Sequence, residues 1–98
     1  MSKPDIEFIA ELETIVGKRL AEASDESYTA RLAAAGVKRI AQKVGEEGVE
    51  LALAAASGNQ QETIDEAADL IYHLVVLLAK CGLSLEDVAL RLKARHAK

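Results

Sequence analysis

Five carboxylates fall at helical spacing in two stretches of this chain, Glu46-Glu47-Gly48-Val49-Glu50 and Glu66-Ala67-Ala68-Asp69. Residues three apart share a helical face, so Glu47 pairs with Glu50 and Glu66 with Asp69. The second stretch opens an apolar run, Ala67 to Ala79, interrupted by little except Asp69, Tyr72 and His73. A carboxylate within such a run is costly to bury unless something compensates it. Two acidic faces set against each other would form an oxygen cage for a hard divalent cation. Carboxylate ligation without cysteine or paired histidine favours Mg²⁺ or Mn²⁺ over zinc. Mg²⁺ keeps waters and takes further ligands from substrate phosphates, which makes a phosphate-containing substrate the natural partner. The cation can bridge phosphate oxygens and activate water for attack on phosphorus.

A simpler reading competes at each position. Glu46-Glu47 on a helix is ordinarily a solvated face, and Asp65-Glu66 could supply negative charge near a helix N-terminus. Asp69 lies too far along its helix for that. Lys43, one turn before Glu47, is either a helix ion-pair partner or a phosphate contact. Ser27-Tyr28-Thr29 reads as loop followed by an N-cap, or as exposed hydroxyls and amides that could hold a phosphate. His73, one turn beyond Asp69, reads as a hydrogen-bonded core histidine before it reads as a metal ligand or a partner of one. Tyr72 reads as packing with a tethered hydroxyl. Cys81 reads as a small apolar residue at a helix end.

Positioning these groups requires helices, and the pattern is helical throughout. Ile6, Ile9, Leu12, Ile15, Val16 and Leu20 predict a first helix over 5–22, with Pro4 well placed at its start. Residues 23–28 read as a connection, and a short helix over 29–35 ends at Gly36. The third helix is expected over 37–57, stopped by Gly58-Asn59. Arg39, Lys43, Glu46, Glu47 and Glu50 share one polar wedge on it. The fourth is expected over 62–81, closed by Gly82, with Glu62, Glu66, Asp69 and His73 along one strip. Ser84-Leu85-Glu86-Asp87 has the form of a capping box opening a last helix that reaches about Arg95. The prediction is an all-α, compact bundle of four to five helices, forming one domain over residues 1–98.

The bulk properties narrow the function. Twelve Lys and Arg against sixteen Asp and Glu leave a formal charge of −4. That balance argues against nucleic-acid binding through a basic surface. The longest apolar run is too short to span a bilayer, so no membrane association is expected. One cysteine allows no internal disulfide and suits a reducing compartment, hence a cytoplasmic protein. The apolar arcs of the third and fourth helices are wider than one small bundle can cover, which predicts a homodimer.

Ser27-Tyr28-Thr29, then Lys43-Val44-Gly45-Glu46-Glu47 with Glu50, then Glu66-Ala67-Ala68-Asp69-Leu70-Ile71-Tyr72-His73-Leu74, then Gly82 to Val88, resemble phosphoribosyl-ATP pyrophosphohydrolase of histidine biosynthesis. The similarity covers about residues 6–96. The acidic skeleton is shared by the wider MazG-like all-α nucleotide pyrophosphohydrolases, whereas the Ser-Tyr-Thr segment and the Ala-Asp-Leu-Ile-Tyr-His-Leu run point to the narrower family. The resemblance implies a MazG-like fold and Mg²⁺-dependent hydrolysis of phosphoribosyl-ATP to phosphoribosyl-AMP and pyrophosphate. By motif position it implies Glu47, Glu50, Glu66 and Asp69 as metal ligands, with Glu46 as a ligand or the group that orients the water. It makes Ser27, Tyr28, Thr29 and Lys43 candidates for phosphate or ribose contacts. Gly48 departs from the small side chain expected there. The activity is often fused to a cyclohydrolase domain, and the short chain with its single cysteine reads as the stand-alone form. A broader NTP or dUTP pyrophosphatase would use the same cage, and a non-enzymatic helical dimer would leave the acidic strips solvated.

Overall fold

The computed structural model describes residues 5–22 and 27–97, and all five elements in it are helices. They are α1 (Glu7–Ala21), α2 (Tyr28–Ala34), α3 (Val37–Ser57), α4 (Gln60–Lys80) and α5 (Leu85–His96). The predicted place of Pro4, and most of the predicted connection over 23–28, lie outside the described residues.

The α3–α4 hairpin is the backbone of the fold. Gly58 adopts a left-handed φ of 79°, which turns the chain at the end of α3 without the strain a Cβ would bring. Asn59 follows at once as N-cap, its side chain accepting from the Glu62 amide at 3.0 Å. The fourth helix therefore begins two residues earlier than the sequence pattern suggests, because Asn59 starts one helix where the pattern reads it as stopping another. At the far end Gly82, φ 75°, closes α4. Leu83 N–H donates to the Leu78 carbonyl at 2.8 Å and Gly82 N–H to Ala79 at 3.1 Å, the two bonds of a Schellman motif.

The small second helix starts at Tyr28 and not after it. Ser27 is its N-cap, with Oγ accepting from the Ala30 amide at 3.0 Å. The predicted capping box of α5 is present, since Ser84 and Asp87 exchange side-chain-to-backbone bonds. A carboxylate from elsewhere adds to it: Glu13 on α1 accepts from the Leu85 amide at 2.6 Å.

Val16, Leu32, Ile40, Val75 and Val76 form the buried core, one or two from each of the first four helices. Ile71, Tyr72 and Leu77 flank it, half-buried. This core ties α1 and α2 to one end of the α3–α4 pair. The last helix turns away from α4 by 105° and buries no residue. No single helix among the described residues is long and apolar enough to cross a membrane.

Candidate active site

Helices α3 and α4 run side by side, and their acidic strips meet along the seam. Glu47, Glu66 and Asp69 each place one carboxylate oxygen within 4.8 Å of the others. The burden of burial falls on a different residue from the one the apolar run suggests. Asp69 is exposed, because its side chain leaves the run on the open side of α4, whereas Glu47 is only 6% exposed. Glu47 thus leaves the solvated wedge in which the helical wheel places it and turns toward α4.

Its two oxygens fare differently. Oε1 lies 3.6 Å from the Lys43 ammonium, one turn away. Oε2 is buried with no hydrogen-bond partner among the described residues. An orphaned buried carboxylate oxygen is costly, and the adjacent Glu66 and Asp69 oxygens aggravate it by like-charge repulsion. Burial pushes the Glu66 carboxyl above its ordinary value. The charges of Glu50, Glu47 and Asp69 push it further the same way. The cluster therefore demands either a proton or a cation. Three oxygens at this spacing fit a divalent ion with oxygen preference, so these residues are suited to holding Mg²⁺ or Mn²⁺.

The remaining predicted acidic residues stand around this core. Glu50 is exposed and lies outside the tight triplet, although its charge reaches Glu66. Glu46 is exposed, with Lys43 at 3.8 Å and the Gln42 amide donating to it at 3.1 Å. Glu46 and Glu50 also line an open groove with Gln42, Gly45 and Val49. Lys43 is an ion-pair partner of Glu46 and also lies beside the buried Glu47 of the cluster.

At the start of α2 the predicted hydroxyls separate. Thr29 is fully buried, contrary to the expectation of an exposed hydroxyl, and its Oγ1 pairs with the Tyr72 hydroxyl. Depth decides this, since Thr29 sits on the α2 face that packs against the core. Tyr28 is 44% exposed, yet its hydroxyl meets His73 Nε2 at 2.8 Å. His73 is the hydrogen-bonded buried histidine the sequence suggests, with Nδ1 against the Asp69 carbonyl at 2.7 Å. The three rings of Tyr28, Tyr72 and His73 pack together, with centroids 5.3–6.2 Å apart. Cys81 is exposed at the C-cap of α4 and not packed as a small apolar residue.

An all-α bundle carrying this carboxylate cluster on paired helices is of the MazG-like class. Within it the chain belongs to the phosphoribosyl-ATP pyrophosphohydrolase family, whose model matches residues 9–96. It is similar to the histidine biosynthesis bifunctional protein HisIE of Photobacterium profundum, 54% identical over 96 residues, or 98% of this chain and 46% of that protein. The protein of the same name from Pasteurella multocida is 55% identical over 97 residues, covering 99% and 48%. That of Vibrio vulnificus strain CMCP6 is 56% identical over 89 residues, covering 91% and 42%. The chain thus spans about half the length of the curated relatives it matches.

Proposed function

We propose that this chain, acting as a single domain, hydrolyses phosphoribosyl-ATP at the linkage between its α and β phosphates, releasing phosphoribosyl-AMP and pyrophosphate. The observation that carries the reading is the orphaned Glu47 Oε2 beside Glu66 and Asp69, a buried charge that a divalent cation would satisfy. Family membership supplies the substrate class. Glu47, Glu66 and Asp69 would hold Mg²⁺, with Glu50 closing the cage from its exposed position. Bound there, the cation would neutralise phosphate charge and lower the pKa of a coordinated water. Glu46 is the carboxylate left to orient the attacking water at the rim, and Lys43 is placed to take a phosphate oxygen. Ser27 retains a hydroxyl proton it can donate. The exposed thiol of Cys81 suits a cytoplasmic setting.

The test is an assay of purified protein with MgCl₂ against phosphoribosyl-ATP, dUTP and other nucleoside triphosphates, with product analysis. Pyrophosphate and phosphoribosyl-AMP are expected. Orthophosphate as the primary product, in the absence of contaminating pyrophosphatase, would overturn the reading.

A further inference from the structure

The direction of two hydrogen bonds determines what Tyr28 can offer a ligand. His73 Nδ1 faces the Asp69 carbonyl at 2.7 Å, and a carbonyl only accepts. Nδ1 therefore carries a proton, and in the neutral ring Nε2 presents a lone pair. Tyr28 lies 2.8 Å from that lone pair, so its hydroxyl proton points at His73. What remains on the Tyr28 oxygen is acceptor capacity alone. A phosphate oxygen, which is also an acceptor near neutral pH, would be repelled there.

The neighbourhood reinforces this polarity. At the start of α2 the Ala30 amide is taken by Ser27 Oγ and the Arg31 amide by the Ser27 carbonyl, at 3.0 Å each. Thr29 and Tyr72 satisfy one another. Two of the amides there are thus already engaged within the protein. Tyr28 is nevertheless well exposed, and its ring is held by Tyr72 and His73.

We propose that Tyr28 is a specificity-determining residue that accepts a hydrogen bond from a ribose hydroxyl, with His73 as the positioning residue that fixes its polarity. The inference rests on the pyrophosphohydrolase reading and deepens it. If the α phosphate lies at the Glu47–Glu66–Asp69 cluster, the sugar esterified to it is the next group along the substrate. Tyr28 lies in that neighbourhood through His73, whose Nδ1 is bonded to the main-chain carbonyl of Asp69 one turn back along α4. A sugar hydroxyl is the donor available there.

The experiment measures binding of α,β-methylene-ATP and its 2′-deoxy and 3′-deoxy counterparts to the full chain in MgCl₂, for wild type and Tyr28→Phe. Wild type should prefer the ribonucleotide to one deoxy form by about 5- to 10-fold, the worth of one neutral hydrogen bond. Tyr28→Phe should erase that preference while leaving affinity for the deoxy form within about 2-fold. An equal loss for all three nucleotides on Tyr28→Phe, or no preference in wild type, overturns the assignment and leaves the pyrophosphohydrolase reading standing. Failure of wild type to bind any of the three overturns the Tyr28 assignment, while the pyrophosphohydrolase reading is decided separately by the hydrolysis assay on phosphoribosyl-ATP. A second measurement is independent of any variant's folding. The ¹⁵N spectrum of histidine-labelled wild type should show His73 protonated at Nδ1 and bare at Nε2, and the opposite tautomer overturns the proposal.

Discussion

Glu47 is a buried carboxylate with one oxygen near Lys43 and the other without a hydrogen-bond partner among the described residues. Replacing it with Gln removes a charge from the cluster while keeping the shape. Glu47→Gln and Asp69→Asn are therefore expected to cost about 100-fold or more in turnover, the scale of losing a charge-stabilising group at a transition state. Their melting temperatures without metal should hold or rise. Steady-state kinetics at saturating Mg²⁺ with parallel thermal unfolding would check both halves, and near-normal turnover in either variant would remove that residue from the metal set. Glu66 adds a pH dependence. Its folded-state pKa is raised from the ordinary 4.5, so the folded protein keeps this proton to higher pH than the unfolded chain does. The resulting stability is fully present below that ordinary value and is lost as pH rises through the raised one. Metal-free protein should lose melting temperature across that window, and Glu66→Gln should flatten the loss. An unchanged pH profile in Glu66→Gln would show that another group governs it. The spacing of these acids was legible in the chain, but their depths were not. The helical wheel makes Glu47 solvated and Asp69 costly, whereas the structure buries Glu47 and exposes Asp69. Burial depends on which face a neighbouring helix covers, and that is a tertiary fact.

The helices themselves were legible because each carries its own punctuation. Gly36, Gly58 and Gly82 have positive φ where the sequence suggests stops, and Ser84 with Asp87 forms the capping box its spacing implies. The errors lie where one residue serves two elements, as Asn59 does, or where a cap precedes a large residue, as Ser27 precedes Tyr28. One contact had no local signal. Glu13 caps α5 from α1, across 72 positions of sequence. This cap should matter more than most, because α5 has no fully buried residue and Leu85 packs against the core only half-buried. A charge-assisted bond of this kind contributes about 1.5–3 kcal/mol. Glu13→Ala is expected to lower the melting temperature by several degrees, and Glu13→Gln, which keeps an acceptor, by less. Hydrogen exchange would localise the effect, since the Leu85 amide should exchange faster in Glu13→Ala while amides in mid-α3 do not. Uniform acceleration across the chain would show that Glu13 supports the core and not the cap.

At the scale of the whole molecule, the described residues leave several large apolar side chains uncovered. Val49, Leu53 and Ile64 on the central hairpin are 60–65% exposed, and Leu90 on α5 is 58% exposed. The radius of gyration is 14.8 Å, against about 13 Å for an isolated domain of some 100 residues. Both observations have one cause: α3 and α4 are long rods whose outer faces extend past the core that α1 and α2 cover. A second copy of this chain would cover them, as the apolar arcs in the sequence suggest. Dimerisation would also stiffen the hairpin that carries the carboxylates, coupling assembly to metal binding. The expected species at micromolar concentration therefore has twice the 10.5 kDa chain mass. Leu53→Lys, which places a charge in the middle of the exposed stripe, should shift sedimentation toward the monomer and lower the melting temperature in a concentration-dependent way. In wild type the melting temperature should itself rise with protein concentration, because association binds the folded state. It should also rise with MgCl₂ beyond the effect of NaCl at matched ionic strength, since screening relieves repulsion without filling the cage. A wild-type chain that sediments as a folded monomer, with a melting temperature independent of its concentration, would show that the exposed hairpin face has some use other than self-association.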